Sequence, residues 1–143
     1  MNDEVPILRP LTPEARTAVG GNDVQLVQFP FRVGRESRLG MVRGSLRLLE
    51  RRKLNYPPNN ELYLIDEGKP LQVSREHFQI DRLPDGTFEL LDRDSACGTI
   101  VGNQSLGGGD SGGRCALAHG NVIVVGTENS PYAFKFIVPG AED

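Results

Sequence analysis

From about residue 23 onward the chain breaks into short stretches of alternating apolar and polar residues, separated by glycine, proline, asparagine and aspartate. "HFQIDRL" at 77–83 sets Phe78 and Ile80 against Gln79 and Asp81, and "YAFKFIV" at 132–138 sets Phe134 and Phe136 against Ala133 and Lys135. Successive side chains of a strand point to opposite faces, so a period of two describes strands with one face buried. "PDG" at 84–86 marks a tight turn into "TFELLD", and "ELYLID", "GTIVG", "CALA" and "NVIVVG" continue the series. In "VQLVQFPFRVG", Val24 and Leu26 share one face while Phe29, Phe31 and Val33 share another, with Pro30 as a kink or bulge. Many short strands joined by turns make an all-β sandwich or barrel.

Two segments stand outside this pattern. Residues 1–22 carry Pro6, Pro10, Pro13, Gly20 and Gly21 with little periodicity. They read as a flexible tail before a domain at 23–139, with 140–143 as a short C-terminal tail. Thr12, before Pro13, is a phosphorylation candidate that would give an internal ligand. Residues 36–59 place Val42, Leu46 and Leu49 at helical spacing before "YPPNN" ends any helix. The expectation is a short helical insertion around 36–59. Its basic run, with Arg43, Arg47, Arg51, Arg52 and Lys53 against Glu50, is expected to be a solvated face packed on the sandwich edge. The alternative is that this face extends a binding surface toward an acidic partner.

Composition narrows the class. At 143 residues and 38% hydrophobic, the chain suits one domain with a single core. A net charge of -3 argues against a general nucleic-acid binder. No apolar run approaches the ~20 residues that cross a bilayer, and the acidic start lacks a signal-peptide core. A cytoplasmic location without membrane contact is expected. Cys97 and Cys115 are too few for a disulfide scaffold or a four-ligand zinc site, so no metal or cofactor is expected.

"GGGDSGGRC" at 107–115 resembles the surroundings of the nucleophilic serine in trypsin-like proteases. Ser111 would need a histidine base and an orienting carboxylate. Only His77 and His119 are available, and a glycine-rich loop is a poor platform for positional precision. Cys97, in a glycine-bounded turn where Arg93 could lower its pKa, is a second candidate as a reactive thiol, but a small residue filling a turn is the preferred reading. The chain is therefore expected not to be an enzyme.

The informative stretches are "FRVGRESR", "VSREHFQI" and "DRDSACGTIVGN". Between strands they offer a guanidinium at Arg35, a hydroxyl at Ser74 and turn amides, which together make an anion pocket. Their order, Gly34-Arg35, Ser74-Arg75-Glu76-His77, Asp92 and Ser95 with Gly98-Thr99, then 117–126 ending in "NVIVVG", resembles the forkhead-associated (FHA) domain family. The resemblance implies an FHA-type (SMAD/FHA-like) two-sheet β-sandwich of about eleven strands that binds phosphothreonine peptides at its apical loops. It implies a non-catalytic signalling module downstream of Ser/Thr kinases, whose partner is a phosphothreonine-containing protein.

By the same resemblance, Arg35 and Ser74 would hold the phosphate and Arg75 would contact phosphate or peptide backbone. Ala96 and Cys97 would border the peptide. Gly34, His77, Gly98 and Thr99 would support the site, His77 by tying its loop to the Gly34–Arg35 loop. Cys97 stands where the family places an asparagine that hydrogen-bonds the peptide backbone. A thiol is a weaker donor and acceptor, so the grip on peptide is expected to weaken or shift elsewhere. That departure leaves an alternative open, an FHA-like interaction domain that binds its partner independently of phosphate.

Overall fold

The computed structural model describes residues 5–35, 39–42, 45–48, 60–66, 71–108 and 113–141. Among these residues, eleven strands form two sheets. The first has six strands: β1 (Ile7–Pro10), β2 (Val24–Gln25), β9 (Thr99–Val101), β10 (Gln104–Leu106), β12 (Val122–Val125) and β13 (Ala133–Ile137). Their spatial order is β10-β9-β12-β13-β1-β2. The second sheet has the order β11-β8-β7-β3-β6, built from β3 (Phe31–Arg35), β6 (Leu62–Leu64), β7 (Phe78–Arg82), β8 (Phe88–Asp92) and β11 (Gly113–Leu117). All pairings are antiparallel except β3 with β6.

One hydrophobic core lies between the sheets. Phe78, Ile80 and Leu90 of the second sheet and Ile123, Phe134 and Phe136 of the first all belong to it. Phe88 and Phe136 meet across the gap with ring centroids 5.2 Å apart and planes at 69°, the edge-to-face geometry favoured by the ring quadrupole. The alternation seen in the sequence is thus the sandwich's inward and outward register. In β8 it continues one step past Leu90, so Asp92 points inward at the sheet's end.

Two expectations are corrected. Residues 1–22 are not a tail throughout. Ile7 pairs with Ile137 and Leu8 with Phe136, so β1 lies inside the six-stranded sheet beside β13. Helix α1 (Pro13–Ala18) follows and buries Ala15 and Ala18. Thr12 is the helix N-cap, accepting from Ala15 N at 3.0 Å and donating its hydroxyl to the Pro131 carbonyl. Its oxygen is therefore engaged in packing rather than displayed as an internal ligand. The second correction is the inserted helix. Leu39–Val42 (β4) and Ser45–Leu48 (β5) form an antiparallel hairpin with Val42 opposite Ser45. Glycines at 40 and 44 disfavour helix in this stretch of sequence. Residues 36–38, 43–44 and 49–59 of this segment, with most of its basic run, lie outside the described residues.

Candidate functional site

Three stretches meet at one end of the sandwich: the end of β3, the 71–77 segment leading into β7, and the 93–98 turn between β8 and β9. Their junction starts at Gly34. A Cβ at this position would lie 2.0 Å from the Arg75 carbonyl oxygen, so only glycine lets the 74–76 turn rest on β3. The next residue is then fixed. Arg35 N donates to Ser74 O at 2.8 Å, and Arg35 Nε donates to Val73 O at 2.8 Å. Arg35 keeps 8% of its surface exposed, which places a permanent positive charge just beneath the rim.

Ser74 is oriented from two sides. Its N–H donates to His77 Nδ1 at 2.9 Å, and its hydroxyl oxygen accepts from Ala96 N at 2.9 Å. The hydroxyl hydrogen has no acceptor among the described residues. His77 is fully buried, and its Nε2 bonds the Gly98 carbonyl at 2.7 Å. A backbone N–H can only donate, so Nδ1 accepts and the proton sits on Nε2. The ring therefore ties the Ser74 turn to the Gly98 turn. It is the backbone N–H of His77, bonded to Val33 O at 2.9 Å, that reaches the strand carrying Gly34 and Arg35.

Burial drives the His77 pKa below its ordinary 6.5, against the opposing pull of the Gly98 carbonyl and of the Asp92 and Asp66 carboxylates. Below that pH an unfolded chain takes up a proton that the folded one resists. Stability should therefore be full above about pH 6.5 and decline as pH falls, by up to about 1.4 kcal/mol per pH unit from this group. A long-range nitrogen-15 spectrum at about pH 7.5 should show His77 as the neutral Nε2–H tautomer, fixed by its bonds to Ser74 N and Gly98 O. An Nδ1–H tautomer there would contradict this reading.

The 93–98 turn rests on a buried carboxylate. Asp92 accepts from Ser95 N at 2.8 Å, Ser95 Oγ at 2.6 Å and Thr99 Oγ1 at 2.7 Å. Ser95 Oγ in turn accepts from Gly98 N at 2.9 Å. Ala96 is exposed on the outer side of this turn. Cys97 is half-buried, with Sγ 3.6 Å from Leu71 O. The Arg93 guanidinium contacts Asn60 Oδ1 at 2.8 Å and Glu76 at 3.5 Å. A cleft of about 300 Å³ opens beside the turn, lined in part by Cys97, Thr99, Leu106, Gly126, Thr127 and Glu128.

The structure thus brings Gly34, Arg35, Ser74, His77, Ala96 and Gly98 into direct contact and sets Thr99 and Cys97 next to them. Arg75 belongs to the same turn, but its guanidinium nitrogens lie below the surface and its carbonyl accepts from Asn60 Nδ2 at 2.7 Å. Asn60 escaped the sequence reading. It is almost wholly buried and joins the 75 turn to Arg93 of the 93–98 turn. Only its place after two prolines could have drawn attention, and that signals a turn. Ser111 lies outside the described residues. His119 Nδ1 accepts from Val138 N at 3.0 Å.

A β-sandwich whose loops converge at one end, with arginine and serine at the junction, is the build of a protein-interaction module that binds through loops. The sequence model of the FHA domain matches residues 51–126, more than half of the chain, and the chain belongs to the FHA domain family. No curated protein matches the sequence. The chain is similar in fold to the FHA domain of the CT664 protein from Chlamydia trachomatis, at 18% identity and TM-score 0.57 over 93% of this chain and 96% of that one. It is also similar to an engineered FHA domain with a Myc-pTBD peptide, at 18% identity and TM-score 0.57 over 97% and 94% of the two chains.

Proposed function

We propose that this chain binds phosphothreonine peptides through the Arg35–Ser74 junction and acts as a non-catalytic module downstream of Ser/Thr kinases. The observation that carries the reading is the state of Ser74. Its oxygen is aimed by the Ala96 N–H, and its hydrogen has no acceptor among the described residues, beside a buried arginine bonded to Val73 O. A phosphate near neutral pH carries close to two negative charges and accepts from several donors. A hydroxyl donor and a fixed guanidinium meet both demands without reorganising on binding. The structurally similar engineered FHA domain is described with a peptide, which is the class of ligand proposed here.

Preference for threonine over serine would come from one methyl group. Burying it in a fitted recess contributes about 0.8 kcal/mol, a several-fold effect. Calorimetric titration of a degenerate peptide pool in phosphothreonine, phosphoserine and unmodified forms tests the proposal. The order phosphothreonine, phosphoserine, then no measurable binding of the plain pool is expected. Equal affinity for phosphorylated and plain pools would replace the reading with phosphate-independent association.

A further inference from the structure

Gln72 sits two residues before Ser74, on the segment that supplies the serine hydroxyl. Its side-chain oxygen accepts from Thr127 N at 3.0 Å and from Thr127 Oγ1 at 3.1 Å. A backbone N–H can only donate, so this contact fixes which end of the amide is oxygen. The approach is close: a Cβ on Gly126 would come within 2.5 Å of Gln72 Oε1, and Gly126 has φ +122°, which suits glycine alone. The amide oxygen is held against the 126–127 turn. Its two Nε2 hydrogens have no acceptor among the described residues.

The position of this amide matters as much as its orientation. Thr127 lines the 300 Å³ cleft together with Cys97. Cys97 Sγ faces Leu71 O, one residue before Gln72. The Gly126 N–H bonds the Gly98 carbonyl at 2.9 Å, and His77 reaches that same carbonyl from the Ser74 side. Gln72 therefore belongs to the connected set of turns that holds Ser74. At Cys97 the chain offers only a thiol, a poor partner for a peptide carbonyl.

We propose that Gln72 is a ligand-contacting residue, whose Nε2 amide donates to a main-chain carbonyl of the peptide adjoining the phosphothreonine. This rests on the phosphothreonine reading given above. The oxygen is committed to the protein and the nitrogen to the ligand, so the side chain is preorganised and loses little rotamer freedom on binding.

Gln72→Glu is the discriminating variant. It preserves the shape and the acceptor for Thr127 while replacing the amino group with an oxygen. Two ligands are used, a phosphothreonine peptide and free phosphothreonine. Peptide affinity should fall about five- to tenfold, the effect of one lost hydrogen bond, while affinity for the free amino acid changes much less. A drop of equal factor for both ligands would reveal only the added negative charge and overturn the assignment. Unchanged peptide affinity would overturn it too.

The wild-type side-chain amide resonances of Gln72 provide an independent readout. They should shift on adding the phosphothreonine peptide and stay in place with inorganic phosphate. Resonances that ignore the peptide would reduce Gln72 to a loop staple. If wild type binds no phosphopeptide, the underlying reading falls and takes this one with it, whereas normal wild-type binding with an unaffected Gln72→Glu removes Gln72 alone.

Discussion

Arg35→Ala is expected to lower affinity for a phosphothreonine peptide by about ten- to a hundred-fold or more, the largest functional effect of any single change in the site. A hydrogen bond to a charged group contributes roughly 1.5–3 kcal/mol. Arg35 is the charge placed at the junction, with its backbone N–H on Ser74 O and its Nε on Val73 O. The variant also strips a partner from the buried Val73 carbonyl, so some stability will be lost. Arg35→Lys separates the two effects. It retains a positive charge but not the planar fork, and should fall between wild type and Arg35→Ala in affinity. Calorimetry at two salt concentrations, alongside thermal unfolding, provides the check. Retention of wild-type discrimination between phosphorylated and plain peptide in a folded Arg35→Ala protein would remove Arg35 from the site.

Much of this architecture could be read from the residues themselves. Strands β7 and β13 are legible because alternation over five residues maps directly onto burial, as Phe78, Ile80, Phe134 and Phe136 show. The loops were legible because glycine, arginine, serine and histidine at their places have few cheaper uses. What the sequence hid falls under two physical causes. Strand β1 is four residues long and ends in proline, and its partner β13 lies at the other end of the chain. Pairing over that separation leaves no local trace. The 39–48 hairpin was hidden by coincidence, since Val42, Leu46 and Leu49 fit a helical period while the glycines at 40 and 44 spoke against it.

Within the site, the same distinction separates what was seen from what was missed. Asn60 and Gln72 act through contacts to Arg75, Arg93 and Thr127, residues up to 55 positions away. An amide side chain carries no periodicity and no spacing rule, so only coordinates reveal its partners. His77 illustrates the intermediate case. Its supporting role was legible, whereas which turns its ring joins depended on the positions of Ser74 N–H and the Gly98 carbonyl.

The largest structural effect is expected from Asp92→Ala. Three donors converge on this carboxylate, and Asp92, Ser95 and Thr99 are each at most 2% exposed. Water cannot easily replace the lost acceptor, and each buried donor left without a partner costs about 1–3 kcal/mol. Hydroxyls can rotate to find some relief, so a total near 3–5 kcal/mol is expected. For a chain of this size that corresponds to a fall in Tm of roughly 10–15 °C.

Asp92→Asn should be milder, because the amide keeps one acceptor and its NH2 can donate to the oxygen of Ser95 or Thr99. Thermal and urea unfolding of the two variants measure the difference. The damage should also reach the peptide site in protein that remains folded. Ser95 Oγ accepts from Gly98 N, the Gly98 carbonyl accepts from His77, and His77 accepts from Ser74 N. Loosening Asp92 thus loosens Ser74, four contacts away. Phosphopeptide affinity, measured well below the variant's Tm, should fall along with stability. An Asp92→Ala protein that melts within about 3 °C of wild type, below the effect of a single orphaned buried donor at the upper end of its range, would show that the turn does not depend on this carboxylate.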